Sequence, residues 1–148
     1  MSDSTPDVSL SQHHGYQFDN HFGPGIAPLR SDEPPPLGQG QGPSPVQLLA
    51  AAVGNCLTAS FNFACAKYKQ DPAPLACEVS AEVGRNADKR MRVLGLSARL
   101  TLGVPGDTLE HIERVLASFE DYCTVTASVR AAIPVEVQVF DAHGARLK

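Results

Sequence analysis

The stretch from Pro45 to Gln70 constrains the fold more than any other part of this chain. Ser44 precedes it, Pro45 takes the first helical position, and Gln47 follows the serine by three residues, which is the pattern of a capping box. No further proline occurs before Asp71-Pro72. The sequence therefore predicts one continuous α-helix of about 39 Å, at 1.5 Å per residue.

Apolar or small side chains lie on both faces of this predicted helix. One face carries, at steps of three and four residues, Leu48, Leu49, Ala52, Cys56, Ala59, Phe63 and Ala66. The opposite face carries Ala51, Val53, Leu57 and Phe61. A helix that is apolar nearly all round is buried all round. In a chain of 148 residues, this pattern predicts a central helix, or one that also packs against a second subunit.

Short segments of alternating polarity surround this helix. The predicted elements, in order, are strands 8–10, 16–18 and 26–29, helix 45–70, strands 75–85 and 90–102, helices 109–122 and 124–132, and strand 135–139. A turn at His13-His14-Gly15 joins the first two strands, and a capping box at Asp107 and Glu110 opens the second helix. The order β-β-β-α-β-β-α-α-β, with antiparallel hairpins, indicates an α+β fold.

Composition narrows the class of protein. The length is typical of a single domain, so we assign residues 1–148 to one domain that contains a Pro/Gly-rich loop at 31–45. A net charge of -4 gives no reason to expect nucleic acid or an acidic membrane surface as a partner. No run approaches the length of a membrane span, and the N-terminus lacks the pattern of a signal peptide. We therefore expect a cytoplasmic protein.

Four cysteines, at 56, 65, 77 and 123, are candidates for redox chemistry. Structural disulfides are rare in a reducing compartment, and the spacing fits neither a CxxC motif nor a zinc finger. Cys65 lies nine residues beyond Cys56, and so on the opposite helix face. Cys77 begins a strand. We interpret both Cys65 and Cys77 as core residues.

Cys56 and Cys123 occupy different local settings. Cys56 lies three turns into the long helix, too far from its N-terminus to be acidified by the helix dipole. It is either a core residue or a thiol that needs an outside partner to ionise. Cys123 lies where the last helix begins, and unpaired backbone N–H groups there favour a thiolate. The alternative is that Cys123 merely packs in the kink between two helices.

Two segments resemble the OsmC/Ohr superfamily: GPSPVQLLAAAVGNCLTAS, residues 42–60, and EDYCTVTASVRAAIPVEVQV, residues 120–139. The order of predicted elements is also similar to that of the family. The resemblance implies an intertwined homodimer with the long helices buried centrally and the active sites at the subunit interface.

The resemblance also implies a function. In the peroxidase branches of the family, which serve in the oxidative stress response, the cysteine matching Cys56 attacks an organic hydroperoxide or hydrogen peroxide and becomes a sulfenic acid. The cysteine matching Cys123 then forms a disulfide with it. A dithiol donor such as a lipoyl group restores the thiols, and no metal or other cofactor is implied.

The sequence departs from the peroxidase pattern at the residues that support the reactive thiol. The family places a Glu in the first helical turn, where this chain has Val46-Gln47, and an Arg in the first hairpin, where it has His13-His14-Gly15. His14 or Arg30 is a candidate cation, and Asp32 or Glu33 a candidate carboxylate. Gln47, in the stretch that lacks the Glu, is a further candidate supporting residue. The histidines are otherwise a solvated turn.

Two other functions stay open on the sequence. A non-catalytic protein of the same fold that binds a small apolar ligand at the dimer interface would explain the missing Glu and Arg. A zinc or copper site formed by His13, His14 and a thiol would use soft ligands, although their spacing is scattered.

Overall fold

The computed structural model describes residues 5–148, which divide into two compact units, one ending at Leu48 and the other covering Leu49–Lys148. The order of strands and α-helices is β-β-β-α-β-β-α-α-β, with two short 3₁₀ helices added. This order confirms the predicted α+β class. The assignment to a single domain stays a prediction.

The first unit contains a small antiparallel sheet with strand order β1-β2-β3. The strands are β1, Ser9–His14, β2, Gln17–His21, and β3, Leu29–Ser31. The predicted turn was placed too early, because the histidines at 13 and 14 belong to β1 and the turn lies at Gly15-Tyr16. Gly15 has a φ of 56°, a left-handed conformation that glycine adopts without steric cost.

The Pro/Gly-rich loop after β3 is ordered around one carboxylate. Asp32 is 2% exposed, and its side chain accepts hydrogen bonds from the backbone N–H groups of Glu33, Gln39 and Gln41. Gln17 Nε2 donates a further bond to it, at 3.3 Å. These four bonds fix a segment that has no regular secondary structure of its own.

Helix α1 spans Pro45–Ala66. The predicted capping box forms, since the Ser44 N–H donates to Gln47 Oε1 at 2.9 Å and the Gln47 N–H donates to Ser44 Oγ at 3.3 Å. The helix ends four residues earlier than predicted. Lys69, with a φ of 56°, adopts the left-handed conformation that commonly follows a helix C-terminus.

Only one face of α1 is buried within the chain. Its buried residues are Val53, Gly54, Leu57, Ser60, Phe61, Ala64 and Cys65, whereas Ala52, Ala59 and Phe63 are exposed. The expectation of burial all round is therefore wrong for the single chain. The sequence did not reveal which face of α1 is exposed, because both faces are apolar and the periodicity of apolar residues therefore cannot distinguish them.

Helix α1 also meets the length and composition criteria for a membrane-spanning helix, with a mean hydropathy of 1.5. The prediction that no run approaches the length of a membrane span is therefore wrong for this helix. Within the most apolar 18-residue stretch of α1, 44% is buried inside the protein. The buried face of α1 contributes Val53, Leu57 and Phe61 to the core of the second unit, as the central helix of a folded domain does.

The second sheet combines an antiparallel hairpin with a parallel strand. Strands β4, Ala76–Arg85, and β5, Met91–Thr101, pair antiparallel, as predicted, around a turn at 86–90 that ends one residue later than predicted. Strand β6, Val135–Phe140, pairs with β5 in parallel. The antiparallel expectation therefore fails for β6, because the chain crosses over through the helices between β5 and β6 before it returns to the sheet.

The crossover begins without the predicted capping box at Asp107 and Glu110. A 3₁₀ helix covers Gly106–Thr108, and α2 covers Ile112–Ser118 with His111 in a left-handed conformation at its N-cap. The Glu110 N–H is instead bound by Gln70 Oε1 at 3.0 Å. A second 3₁₀ helix, Phe119–Tyr122, leads into α3, Thr124–Arg130, which ends before Pro134 as predicted.

The core of the second unit lies between α1 and one face of this sheet. Its members include Leu57 and Phe61 of α1, Leu100 of β5, Val139 of β6 and Phe119, all with no exposed surface. The Phe61 and Phe119 rings meet edge to face with centroids 5.1 Å apart. This contact packs the residues just before Cys123 against the helix that carries Cys56.

Candidate functional site

Cys56 lies at the border between the buried and exposed faces of α1. Its side chain is partly exposed and packs against the core cluster of the second unit. The neighbouring Leu57 is fully buried, whereas Ala59 is exposed. The Cys56 side chain is therefore partly accessible within the single chain, and its other side packs against the core.

Cys123 is a fully buried member of the same core, with no exposed surface. It separates the 3₁₀ helix Phe119–Tyr122 from α3, and its backbone is extended, with φ -91° and ψ 90°. The Cys123 N–H donates to the Glu120 carbonyl at 3.1 Å, and its own carbonyl accepts from the Ala127 N–H at 3.0 Å. Both sides of the residue are thus fixed by the backbone.

The two thiols lie beside one another. Cys56 is near enough to Cys123 to raise the pKa of its thiol, and none of the four cysteines forms a disulfide. The predicted pair is therefore brought together in one unit, with one thiol partly exposed and the other buried. Such an arrangement places a second sulfur within reach of any oxidised form of the first.

Cys123 differs electrostatically from the prediction. Burial raises the pKa of its thiol, the Cys56 side chain raises it further, and the Thr126 hydroxyl and amide lower it. The expectation that the helix start would favour the Cys123 thiolate is wrong, because the desolvation of a fully buried sulfur outweighs the pull of a short helix.

Thr126 is a site residue that was not among those predicted from the sequence. Its side chain has no exposed surface, and its Oγ1 lies 2.8 Å from Cys123 Sγ as the acceptor of the thiol hydrogen. A signal was present, since Thr126 follows Cys123 by three residues and the N-cap and N3 positions of a helix face each other. A buried threonine hydroxyl at this spacing needs a partner nearby.

A second contact that the sequence analysis missed connects the two cysteine-bearing segments. Lys67 Nζ donates to the Tyr122 hydroxyl at 2.8 Å and lies 4.3 Å from the centroid of the Tyr122 ring. The Phe63 and Tyr122 rings meet edge to face at 5.2 Å. Phe63 and Tyr122 are 52% and 41% exposed, so this group, the Phe63–Lys67–Tyr122 cluster, forms a surface that includes the residue directly before Cys123.

The other cysteines lie apart from this chemistry. Cys65 is fully buried on the core face of α1, and burial, with a smaller contribution from Asp71, raises the pKa of its thiol to about 11. Cys77 is partly buried on β4, its sulfur faces α1 at Gly54, and burial raises the pKa of its thiol. Both are core residues, as predicted.

Two of the predicted supporting residues, His14 and Arg30, lie on the sheet of the first unit. His14 is exposed at the end of β1. Arg30 Nε donates to Asp19 Oδ1 at 3.0 Å on the neighbouring strand. The guanidinium also holds the pKa of the Asp19 carboxyl below its usual value. Arg30 therefore already has a carboxylate partner within its own sheet.

The other two supporting candidates, Glu33 and Gln47, lie at either end of the ordered loop. Glu33 is partly buried, and its backbone N–H binds Asp32. Gln47 uses its side-chain oxygen in the α1 capping box. The first turn of α1 carries no acidic residue. The structure therefore gives Asp32 and Gln47 local structural roles, to hold the loop and to cap the helix.

The structure offers no support for the zinc or copper site that was considered as an alternative. Within residues 5–148, no three His, Cys, Asp or Glu side chains come together in a way that could hold a metal ion. The histidines at 13 and 14 are exposed on β1. A site that combines them with one of the thiols therefore has no support in the described part of the chain.

Comparison with known proteins identifies the family. Residues 38–138 match the model of the OsmC-like protein family. No curated protein matches the chain at a significant level. The match includes both cysteines, α1, β4, β5 and the first four residues of β6.

Several solved structures share the fold. An OsmC-like protein from Mycoplasma pneumoniae superposes with a TM-score of 0.79 at 13% identity, covering 96% of this chain and 100% of that one. The organic hydroperoxide resistance protein OsmC from Legionella pneumophila gives 0.72 at 16% identity, with 94% and 98% covered. OhrB of Bacillus subtilis, an organic hydroperoxide resistance protein, gives 0.70 at 14% identity, with 92% and 98% covered. The chain belongs to the OsmC-like protein family, which includes hydroperoxide resistance proteins.

Proposed function

We propose that this protein is a thiol-dependent peroxidase that reduces organic hydroperoxides or hydrogen peroxide through Cys56 and Cys123. The observation that carries the proposal is the contact between a partly exposed thiol on α1 and a buried thiol before α3. Membership of the OsmC-like family supports it, since relatives of the same fold are described as organic hydroperoxide resistance proteins.

Cys56 is the thiol that attacks the peroxide. It is the more exposed of the two, whereas burial disfavours the thiolate of Cys123. The Cys56 thiolate forms a bond to the terminal peroxide oxygen, the O–O bond breaks, and the alkoxide leaves as an alcohol after it takes a proton. The sulfur is oxidised to a sulfenic acid while the peroxide is reduced.

Cys123 resolves this sulfenic acid. Its sulfur bonds to the Cys56 sulfur, and the departing hydroxide takes the thiol proton and leaves as water. A dithiol donor, such as a lipoyl group, then reduces the disulfide through a mixed disulfide and is itself oxidised. Atoms and electrons balance with the peroxide as oxidant and the dithiol as reductant, so the cycle uses no resident cofactor.

We also propose that the protein acts as a cytoplasmic homodimer. The face of α1 that the chain leaves exposed carries Ala52, Ala59 and Phe63, and small side chains allow close approach of a second helix. The cytoplasm supplies the reducing environment that the cycle needs. Analytical ultracentrifugation of the wild type and of an Ala59→Glu variant tests this proposal. We expect the wild type to sediment as a dimer and the variant as a monomer.

A second candidate function is the binding of a small apolar ligand without catalysis. It is favoured by the lack of an acidic residue in the first turn of α1 and by the pairing of Arg30 with Asp19. A purified protein that holds an apolar ligand and consumes no peroxide with any dithiol would support this function.

Hydroperoxide consumption with dithiothreitol as donor separates the two functions. Wild type and Cys65→Ser are expected to consume cumene hydroperoxide alike, because Cys65 lies on the opposite face of α1. Cys56→Ser is expected to lose the activity. Equal rates for Cys56→Ser and wild type would contradict the peroxidase proposal.

A further inference from the structure

We propose that the Thr126 hydroxyl is a catalytic group for the resolving thiol, which it hydrogen-bonds as Cys123 passes from thiol to thiolate. This inference rests on the proposed peroxidase cycle and assigns a role within it. Thr126 touches a reacting atom, since its Oγ1 lies 2.8 Å from Cys123 Sγ.

The setting of Thr126 favours this role. The residue has no exposed surface, so water does not compete for its hydroxyl, and a hydrogen bond to a charged group is stronger where water is excluded. Among the described residues, its side chain has one hydrogen-bond partner, Cys123. The hydroxyl hydrogen is therefore available to turn toward the sulfur.

The chemistry of resolution explains why such a group is needed. Cys123 must attack as a thiolate, yet burial and the adjacent Cys56 raise its pKa. The Thr126 hydroxyl acts in the opposite direction and lowers that pKa. A hydroxyl can do both tasks in turn, since it accepts the thiol hydrogen in the resting state and donates to the anion after the proton has left.

The substitutions Thr126→Val and Thr126→Ser separate the hydroxyl from the shape of the side chain. Valine keeps the volume and removes the hydroxyl, and serine keeps the hydroxyl. We expect Thr126→Val to slow disulfide formation roughly tenfold near neutral pH, because a hydrogen bond to a charged group is lost. We expect Thr126→Ser to stay close to wild type.

The pH profile distinguishes this role from a structural one. Disulfide formation after one equivalent of cumene hydroperoxide is followed by acid quench and mass spectrometry at a series of pH values. The proposal predicts that the midpoint for Thr126→Val moves to higher pH and that its rate approaches wild type in strong alkali. A uniform loss at every pH, or an equal loss in Thr126→Ser, would overturn it.

A titration without peroxide keeps this inference separate from the proposed function. In a background that carries Cys56→Ser, Cys65→Ser and Cys77→Ser, Cys123 is the one remaining cysteine of the chain, and thiolate absorbance at 240 nm reports its ionisation. The midpoint is expected to move to higher pH when Thr126→Val is added and to stay in place with Thr126→Ser. An unchanged midpoint in Thr126→Val would overturn the inference, whereas a wild type that forms no sulfenic acid or disulfide would overturn only the peroxidase cycle.

Discussion

Lys67 Nζ donates a 2.8 Å hydrogen bond to the Tyr122 hydroxyl and so connects the residue that follows α1, the helix that carries Cys56, to the residue before Cys123. The bond is supported by the edge-to-face contact of Phe63 with Tyr122. The two sulfur atoms must stay close together if disulfide formation is to be faster than further oxidation of the Cys56 sulfenic acid. The Phe63–Lys67–Tyr122 cluster is placed to hold that separation.

Lys67→Met is therefore expected to slow disulfide formation a few-fold, with a stability loss of about 1 kcal/mol or less for so exposed a contact. The attack on peroxide should keep its rate. Mass spectrometry under excess peroxide should show more sulfinic acid on Cys56 than in wild type. Lys69→Met, an exposed lysine two residues away, is the control, and equal sulfinic acid in both variants would contradict this role.

Phe61→Ala is expected to cost about 3–5 kcal/mol of unfolding free energy. The Phe61 ring has no exposed surface and packs edge to face on Phe119. Urea unfolding followed by circular dichroism gives the value. Phe22→Ala, in which the ring is 40% exposed, should cost far less, and similar losses for the two variants would show that the core is placed wrongly.

Asp32→Asn is expected to lower the melting temperature at pH 7, because the carboxylate accepts three backbone hydrogen bonds that hold the loop. These bonds, the Gln41 N–H first, lower the pKa of Asp32 below 3.8. A carboxylate whose pKa is lower in the folded state than in the unfolded state stabilises the fold at pH values above its unfolded-state pKa. This stabilisation is lost as the pH falls through the folded-state pKa and the carboxylate becomes protonated. The difference in melting temperature between Asp32→Asn and wild type should thus become smaller below pH 3.8. A difference that stays constant with pH would show that the charge of Asp32 is not the cause.

Ser44→Ala is expected to cost about 1 kcal/mol, since it removes half of the capping box. Gln47→Glu should keep the box, because a carboxylate at this position also accepts the Ser44 N–H and favours the helix N-terminus. Thermal unfolding measures both. A loss in Gln47→Glu equal to that in Ser44→Ala would argue against the cap as the role of Gln47.

Local signals were sufficient to predict much of this fold. The capping box fixed the start of α1, the alternating residues of β4 and β5 gave the hairpin, and the proline at 134 marked the end of α3. Each of these features depends on side chains within a few residues of one another.

Tertiary features were harder to predict. The parallel pairing of β6 with β5 depends on the route of the crossover. The capping box predicted at Asp107 does not form, because the Glu110 N–H donates to the side chain of Gln70, which is distant in sequence. The two cysteines were predicted together through resemblance to a family. The raised pKa of Cys123 was missed, because its burial depends on packing against residues distant in sequence.

The most direct test of the central claim is peptide mapping by mass spectrometry after one equivalent of cumene hydroperoxide. Reduced protein should yield a single intramolecular disulfide between Cys56 and Cys123, with Cys65 and Cys77 still alkylated by a later thiol reagent. Cys123→Ser should instead carry a sulfenic or sulfinic acid on Cys56. A wild-type protein that shows no 56–123 disulfide, or a Cys56→Ser variant that reacts with the peroxide as fast as wild type, would contradict the account.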